Sequence, residues 1–217
     1  MRSALVFLLG CMIPAAAAAA SKPHVVALGK ATTVKLFVNP SEDKAIDITV
    51  RPLYVDTRLK EYTTGESHDI TDREYVVRRA YRINDALPED PRKSAKWLWQ
   101  RGGWLLVNRV SGKISVVKLP DFDPAYSEVS WYRDYAAYCG ITSSSEHAVA
   151  VVAEIGGKKP LFRKELGKAG DSPGNDCALP HWERKPPRVT FLPTGGEKFT
   201  VNVSGRFADE APDSDEE

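Results

Sequence analysis

The chain has 217 residues, with 30 basic and 29 acidic side chains, 15 glycines, 15 prolines and three cysteines. This composition excludes a collagen-like or wholly disordered chain and a strongly basic nucleic-acid binder, and the length allows one ordinary domain or two small ones. The net charge of +1 hides an asymmetry: Asp209, Glu210, Asp213, Asp215, Glu216 and Glu217 gather six acids at the C-terminal end, and without them and Arg2 the rest carries a net +6.

Residues 1–20 read as a secretory signal. Arg2 supplies a positive charge, Ala4–Ile13 an apolar run, and Pro14 leads into alanines, where cleavage is expected within Ala16–Ala20. The run is too short to span a bilayer, which needs about 20 apolar residues. Leu8-Leu9-Gly10-Cys11 looks like a loose lipobox, but Leu9 is large and the apolar run before Cys11 is short. Cys11 is therefore expected to leave with the signal rather than carry a lipid. The mature protein is expected to be periplasmic or secreted, with no transmembrane segment.

Beyond the signal the dominant pattern is β. Val25–Leu28 and Thr32–Val38 are short β-branched runs closed by Asn39-Pro40. Ala45–Val55 alternates, with Ile46, Ile48 and Val50 on one face, as a half-buried strand does. Arg58–Thr63 continues the meander towards a turn at Thr64-Gly65-Glu66. Glu74–Ile83 puts Tyr75, Val77, Tyr81 and Ile83 on one face, with Arg78 and Arg82 on the other beside Val76 and Ala80. Arg79 falls among the apolar residues, so it must reach water, pair with a carboxylate or line a site.

Asn84–Lys96, with two prolines and many charges, reads as an exposed connection. It suggests an N-terminal β subdomain at 21–84, a linker at 85–96 and a C-terminal β subdomain at 97–207. From Trp104 to Leu166 about five strands follow in up-and-down order, separated by Ser111-Gly112, Pro120–Pro124, Thr142–Glu146 and Gly156-Gly157. That order resembles a propeller blade, but a propeller needs at least four blades of about 40–45 residues, and no repeat is present. Lys185-Pro186-Pro187 reads as an extended linker before a last hairpin, Arg188–Leu192 and Lys198–Val203. Residues 208–217 are expected to form a disordered acidic tail. The expected fold is mainly β, with antiparallel meander sheets forming a sandwich, a barrel or a propeller-blade-like arrangement.

Two cysteines remain in the mature chain, Cys139 and Cys177, and an exported chain with two cysteines predicts one disulfide. Closing that loop stabilises by roughly 3–4 kcal/mol in the chain-entropy model.

Chemistry-bearing motifs are scarce. His24, His68, His147 and His181 lie far apart, and no zinc, calcium or nucleotide signature appears, so no cofactor is expected. Asp121-x-Asp123 reads as turn chemistry. No nucleophile motif is present. Glu128 and Asp134 flank Ser130-Trp131-Tyr132-Arg133, a texture that suits a sugar site, although Trp131 and Tyr132 also suit the two faces of one strand.

The densest aromatic and basic cluster is Trp97, Trp99, Arg101 and Trp104, with Arg92, Lys93 and Lys96 just before it. These residues either fill a core or form a binding platform for an anionic polymer or an envelope protein. The leading expectation is an exported, non-enzymatic binding or envelope-associated protein that takes no nucleic acid. The alternative is a hydrolase of an envelope or extracellular polymer, with Glu128, Asp134, Asp121 and Asp123 as candidate acids.

Overall fold

A computed structural model describes residues 22–37, 45–84, 97–144, 146–169 and 177–212. The signal at 1–20, Cys11, the basic residues Arg92, Lys93 and Lys96, and residues 213–217 lie outside them. The described residues form strands and no helix.

The first sheet holds β1 (Val26–Leu28), β2 (Thr32–Phe37), β3 (Ala45–Val55), β4 (Arg58–Thr71), β5 (Glu74–Asn84), β6 (Trp97–Asn108) and β7 (Ile114–Val116). Its order is β1-β3-β2-β6-β5-β4, with β7 on β6 and a further β3–β4 pairing. The pairings therefore run in a closed circuit through β2 to β6, joined by one parallel contact of Leu36 with Trp99. The Asp56-Thr57 turn joins β3 to β4 with φ of 50° and 66°, and Asp56 accepts bonds from the Val25 amide at 3.0 Å and the His24 ring at 2.5 Å. The backbone bond and the imidazole beside it hold the Asp56 carboxyl below its usual range.

The sequence places a turn at Thr64-Gly65-Glu66, but the strand runs on to Thr71. A bulge between Thr64 and His68 absorbs the extra residues. It also divides the chain at 85–96, yet β6 lies in the first sheet between β2 and β5. The residues after 97 therefore begin inside the same sheet.

The second sheet is β8 (Val129–Tyr132), β9 (Tyr135–Ile141), β10 (His147–Glu154) and β11 (Phe162–Lys168), in the order β11-β10-β9-β8. Its central strands are apolar at nearly every position because both faces are covered. Ala136, Tyr138, Val149, Val151 and Ala153 join Val76 and Trp104 of the first sheet in one buried cluster. Ala137, Ala150 and Val152 turn the other way and pack with Val189, Phe191, Phe199, Val201 and Val203. Those last residues belong to the third sheet, formed by β12 (His181–Arg184), β13 (Pro187–Phe191), β14 (Phe199–Ser204) and β15 (Phe207–Glu210) in chain order.

Two features of the third sheet differ from the sequence reading. Lys185-Pro186-Pro187 is the tight corner of the β12–β13 hairpin, where Arg184 pairs with Pro187 and the Lys185–Pro186 peptide is cis. Residues 208–210, expected to lack structure, are part of β15 and pair with β14. The hydrogen bond from the Ala211 amide to the Thr200 carbonyl extends that pairing by one residue.

The loop between β7 and β8 is drawn tightly onto β9. The Tyr138 hydroxyl donates to the Pro120 carbonyl at 2.5 Å, and the Ile141 amide donates to the Asp121 carbonyl at 3.0 Å. A Cβ on Gly140 would lie 2.0 Å from that Asp121 oxygen, so only glycine allows this approach. The expected disulfide is present: Cys139 and Cys177 bond with Cα atoms 6.3 Å apart. It ties β9 to the segment entering the third sheet, where Cys177 makes an isolated bridge to Pro193.

Candidate functional site

The residues singled out along β6 lie on one face of the sheet but differ in burial. A register shift between Arg78 and Ala80 leaves Gly102 and Gly103 opposite Arg79. Trp97, Trp99 and Arg101 therefore share a face with Trp104 despite the change in parity. Trp97 is 51% exposed at the sheet end, beneath the Arg82 guanidinium at 4.8 Å. Trp99 packs into the cluster around Leu36 and Ala80, edge-on to Tyr62 at 5.2 Å. Trp104 is buried against Trp131, with ring centres 5.1 Å apart. It is a core residue.

Arg101 instead meets Glu128. That carboxylate is shared with Arg78, whose Nη1 donates to it at 2.6 Å while Arg101 Nη1 donates to its other oxygen. Arg78, placed by its parity on the face with Arg82, Val76 and Ala80, is only 5% exposed. Arg79 pairs with Glu61 at 2.9 Å. Arg78, Arg101, Trp104 and Glu128 border a cavity of about 520 Å³, and Glu128 also borders one of about 230 Å³ beside the disulfide.

The largest of the three cavities lies elsewhere. It is a cleft of about 920 Å³ at the meeting of the three sheets. The first sheet supplies His68, Asp69 and Ile70 from β4. The second supplies Ser130, Trp131, Tyr132 and Arg133 from β8 and its turn. The third supplies His181, Trp182 and the corner 184–187.

Hydrogen bonds and ring contacts lock these segments together. Trp182 donates its indole N–H to the Ser130 carbonyl at 3.1 Å, and the Tyr132 hydroxyl donates to the Arg184 carbonyl at 3.4 Å. The Tyr132 and Trp182 rings lie 5.4 Å apart at 30°. Tyr135 adds a third ring 6.4 Å from Trp182, and its hydroxyl donates to the Gly205 carbonyl at 2.9 Å. Burial pushes the Tyr135 hydroxyl up, so it stays a donor. His68 stacks on Trp131 at 6.1 Å, and its Nε2 lies 2.9 Å from the Arg133 carbonyl. A carbonyl only accepts, so Nε2 carries the proton.

The charge in the cleft is one-sided. Arg133, Arg184 and Lys185 are exposed and pair with no carboxylate among the described residues. Arg133 lies over the Tyr132 ring at 5.5 Å. The one acid on the wall, Asp69, is held by Arg109 at 2.5 Å. The Trp131 indole nitrogen is buried without a partner. Aromatic faces below unpaired cations can hold an oxyanion and an apolar ring face together.

The four candidate acids do not converge. Asp121 is paired with Arg163 at 2.9 Å, Asp123 caps the Ala125 amide at 2.7 Å, and Asp134 lies in the β8–β9 turn. Each of the three cavities has a single carboxylate on its wall.

Sequence reasoning noticed Trp131 and Tyr132 but did not join them to His68, His181, Trp182, Arg184 and Lys185. The available signal was Trp182 followed by Arg184 and Lys185 just before Pro186-Pro187. No protein-family model, curated protein or solved structure matches this chain.

Proposed function

We propose that the protein is an exported, non-enzymatic binding module that holds an anionic polymer of the cell envelope or its surroundings in the cleft between the three sheets. The observation that carries this reading is the set of three cations without a carboxylate partner among the described residues, Arg133, Arg184 and Lys185, lining one cleft with the Tyr132 and Trp182 rings, Arg133 lying over Tyr132. Export is supported by the signal-like N-terminal sequence and the Cys139–Cys177 disulfide, which suits an oxidising compartment. Among the described residues no helix is long and apolar enough to cross a membrane. Binding is preferred to hydrolysis because none of the three cavities described above has, among the described residues, the two carboxylates a glycosidase needs.

The test compares two variants for retention on envelope material and for melting temperature. In the triple variant Arg133→Ala, Arg184→Ala and Lys185→Ala, retention should fall by about tenfold or more while the melting temperature holds. Added salt should weaken the wild type in the same way, because exposed charges are screened within about 8–10 Å. Trp97→Ala should keep retention. If Trp97→Ala loses it and the triple variant does not, the binding surface is the end of β6 and the cleft is the wrong site.

A further inference from the structure

We infer that the anionic polymer is an acidic polysaccharide, read by side-chain rings and cations rather than by strand addition; this rests on the cleft being the binding site.

The first argument comes from the edges of the cleft. β8 and β12 face each other there, and each is paired on its other side only. An extended peptide binds such edges through free backbone carbonyls and amides. Here one carbonyl on each edge is already engaged by the facing strand: Ser130 accepts from the Trp182 indole, and Arg184 accepts from the Tyr132 hydroxyl. The same bonds cross-link the two edges, so an added strand would have to displace them. What remains for a ligand is the side-chain surface.

The second argument comes from the kind of surface this is. The Tyr132 and Trp182 rings are half-buried, so they are fixed in position yet partly open. A polymer of bare phosphates or carboxylates would use the cations and gain nothing from the rings. A sugar chain uses both: its C–H faces rest on aromatic faces, and its acidic groups meet guanidinium and ammonium. The exposed His181 ring adds hydrogen-bonding nitrogens of the kind hydroxyls need. Carboxylated and sulfated sugars present the same oxyanion chemistry to this surface.

The test is a binding series on the full chain with polygalacturonate, dextran sulfate, neutral dextran, inorganic polyphosphate, poly-glutamate and single-stranded DNA. Saturation-transfer NMR on the bound sugar accompanies it. At least one acidic polysaccharide should bind about tenfold tighter than dextran, polyphosphate, poly-glutamate and the DNA at equal charge. Which of polygalacturonate and dextran sulfate binds tighter identifies the oxyanion. Saturation of the protein's aromatic protons should reach the sugar ring C–H protons and vanish in the Arg133/Arg184/Lys185 triple alanine variant.

Equal affinity for polyphosphate or poly-glutamate overturns the inference while leaving the proposed function standing. So does the tightest binding going to the DNA. Absence of binding to every polyanion overturns both.

Discussion

Arg78 puts a full guanidinium on a residue that is 5% exposed. Its Nη2 donates to the carbonyls of Pro124 and Ser127 at 2.7 and 3.1 Å, and its Nε lies 3.4 Å from that of Gly102. Burial pulls the group below its usual range, and the nearby Glu128 carboxylate works against that shift. The side chain acts as an internal bracket, holding the 124–128 loop to β6 through these carbonyls. Arg78→Met should therefore destabilise by about 3–5 kcal/mol in urea unfolding, since it strips one side of a buried polar network. Arg101→Met removes the more exposed partner of Glu128 and should lose no more than about 1 kcal/mol. Equal losses at the two positions would mean that the ion pair, not the carbonyl bracket, is what matters.

Among the elements, the β8–β9 hairpin sets the cleft. Its two-residue turn places Arg133 at φ 53°, a conformation that glycine, asparagine or aspartate adopts more readily. Holding a cation there costs about 1–2 kcal/mol of conformational energy. Arg133→Gly should raise the melting temperature by about 2 °C, corresponding to 0.5–1 kcal/mol, while weakening polyanion binding. A stabilised variant with unchanged affinity would remove Arg133 from the site.

The strands themselves were readable from alternation and turn residues, as at Ala45–Val55 and Glu74–Ile83. β12 and β15 were not, because His-Trp-Glu-Arg and Phe-Ala-Asp-Glu are polar and edge-like, with most of their side chains outside the core. The cleft was hidden for a different reason. It is built from residues near 68, 131 and 183, and closeness in sequence favoured the tryptophans of β6 instead. Trp99 and Trp104 cluster there because β6 runs through the core. The disulfide was legible because compartment and cysteine count needed no knowledge of the fold.

On the scale of the whole molecule, the second sheet is the shared wall of two cores. One face belongs to the cluster with Val76 and Trp104, the other to the cluster with Val189 and Phe191. Neither outer sheet can peel away without wetting a row of valines and alanines on β9 and β10. The backbone amides of that wall should therefore keep a common clock. In deuterated water, Tyr138, Val149, Val151 and Val152 should exchange last and at one rate, set by complete unfolding. Exchange at β13 and β14 should approach the same limit, while that at β1 and β7 runs ahead. If Val189 and Val201 pick up deuterium far sooner than Val151, the third sheet opens alone, and the molecule breathes in two parts rather than as one.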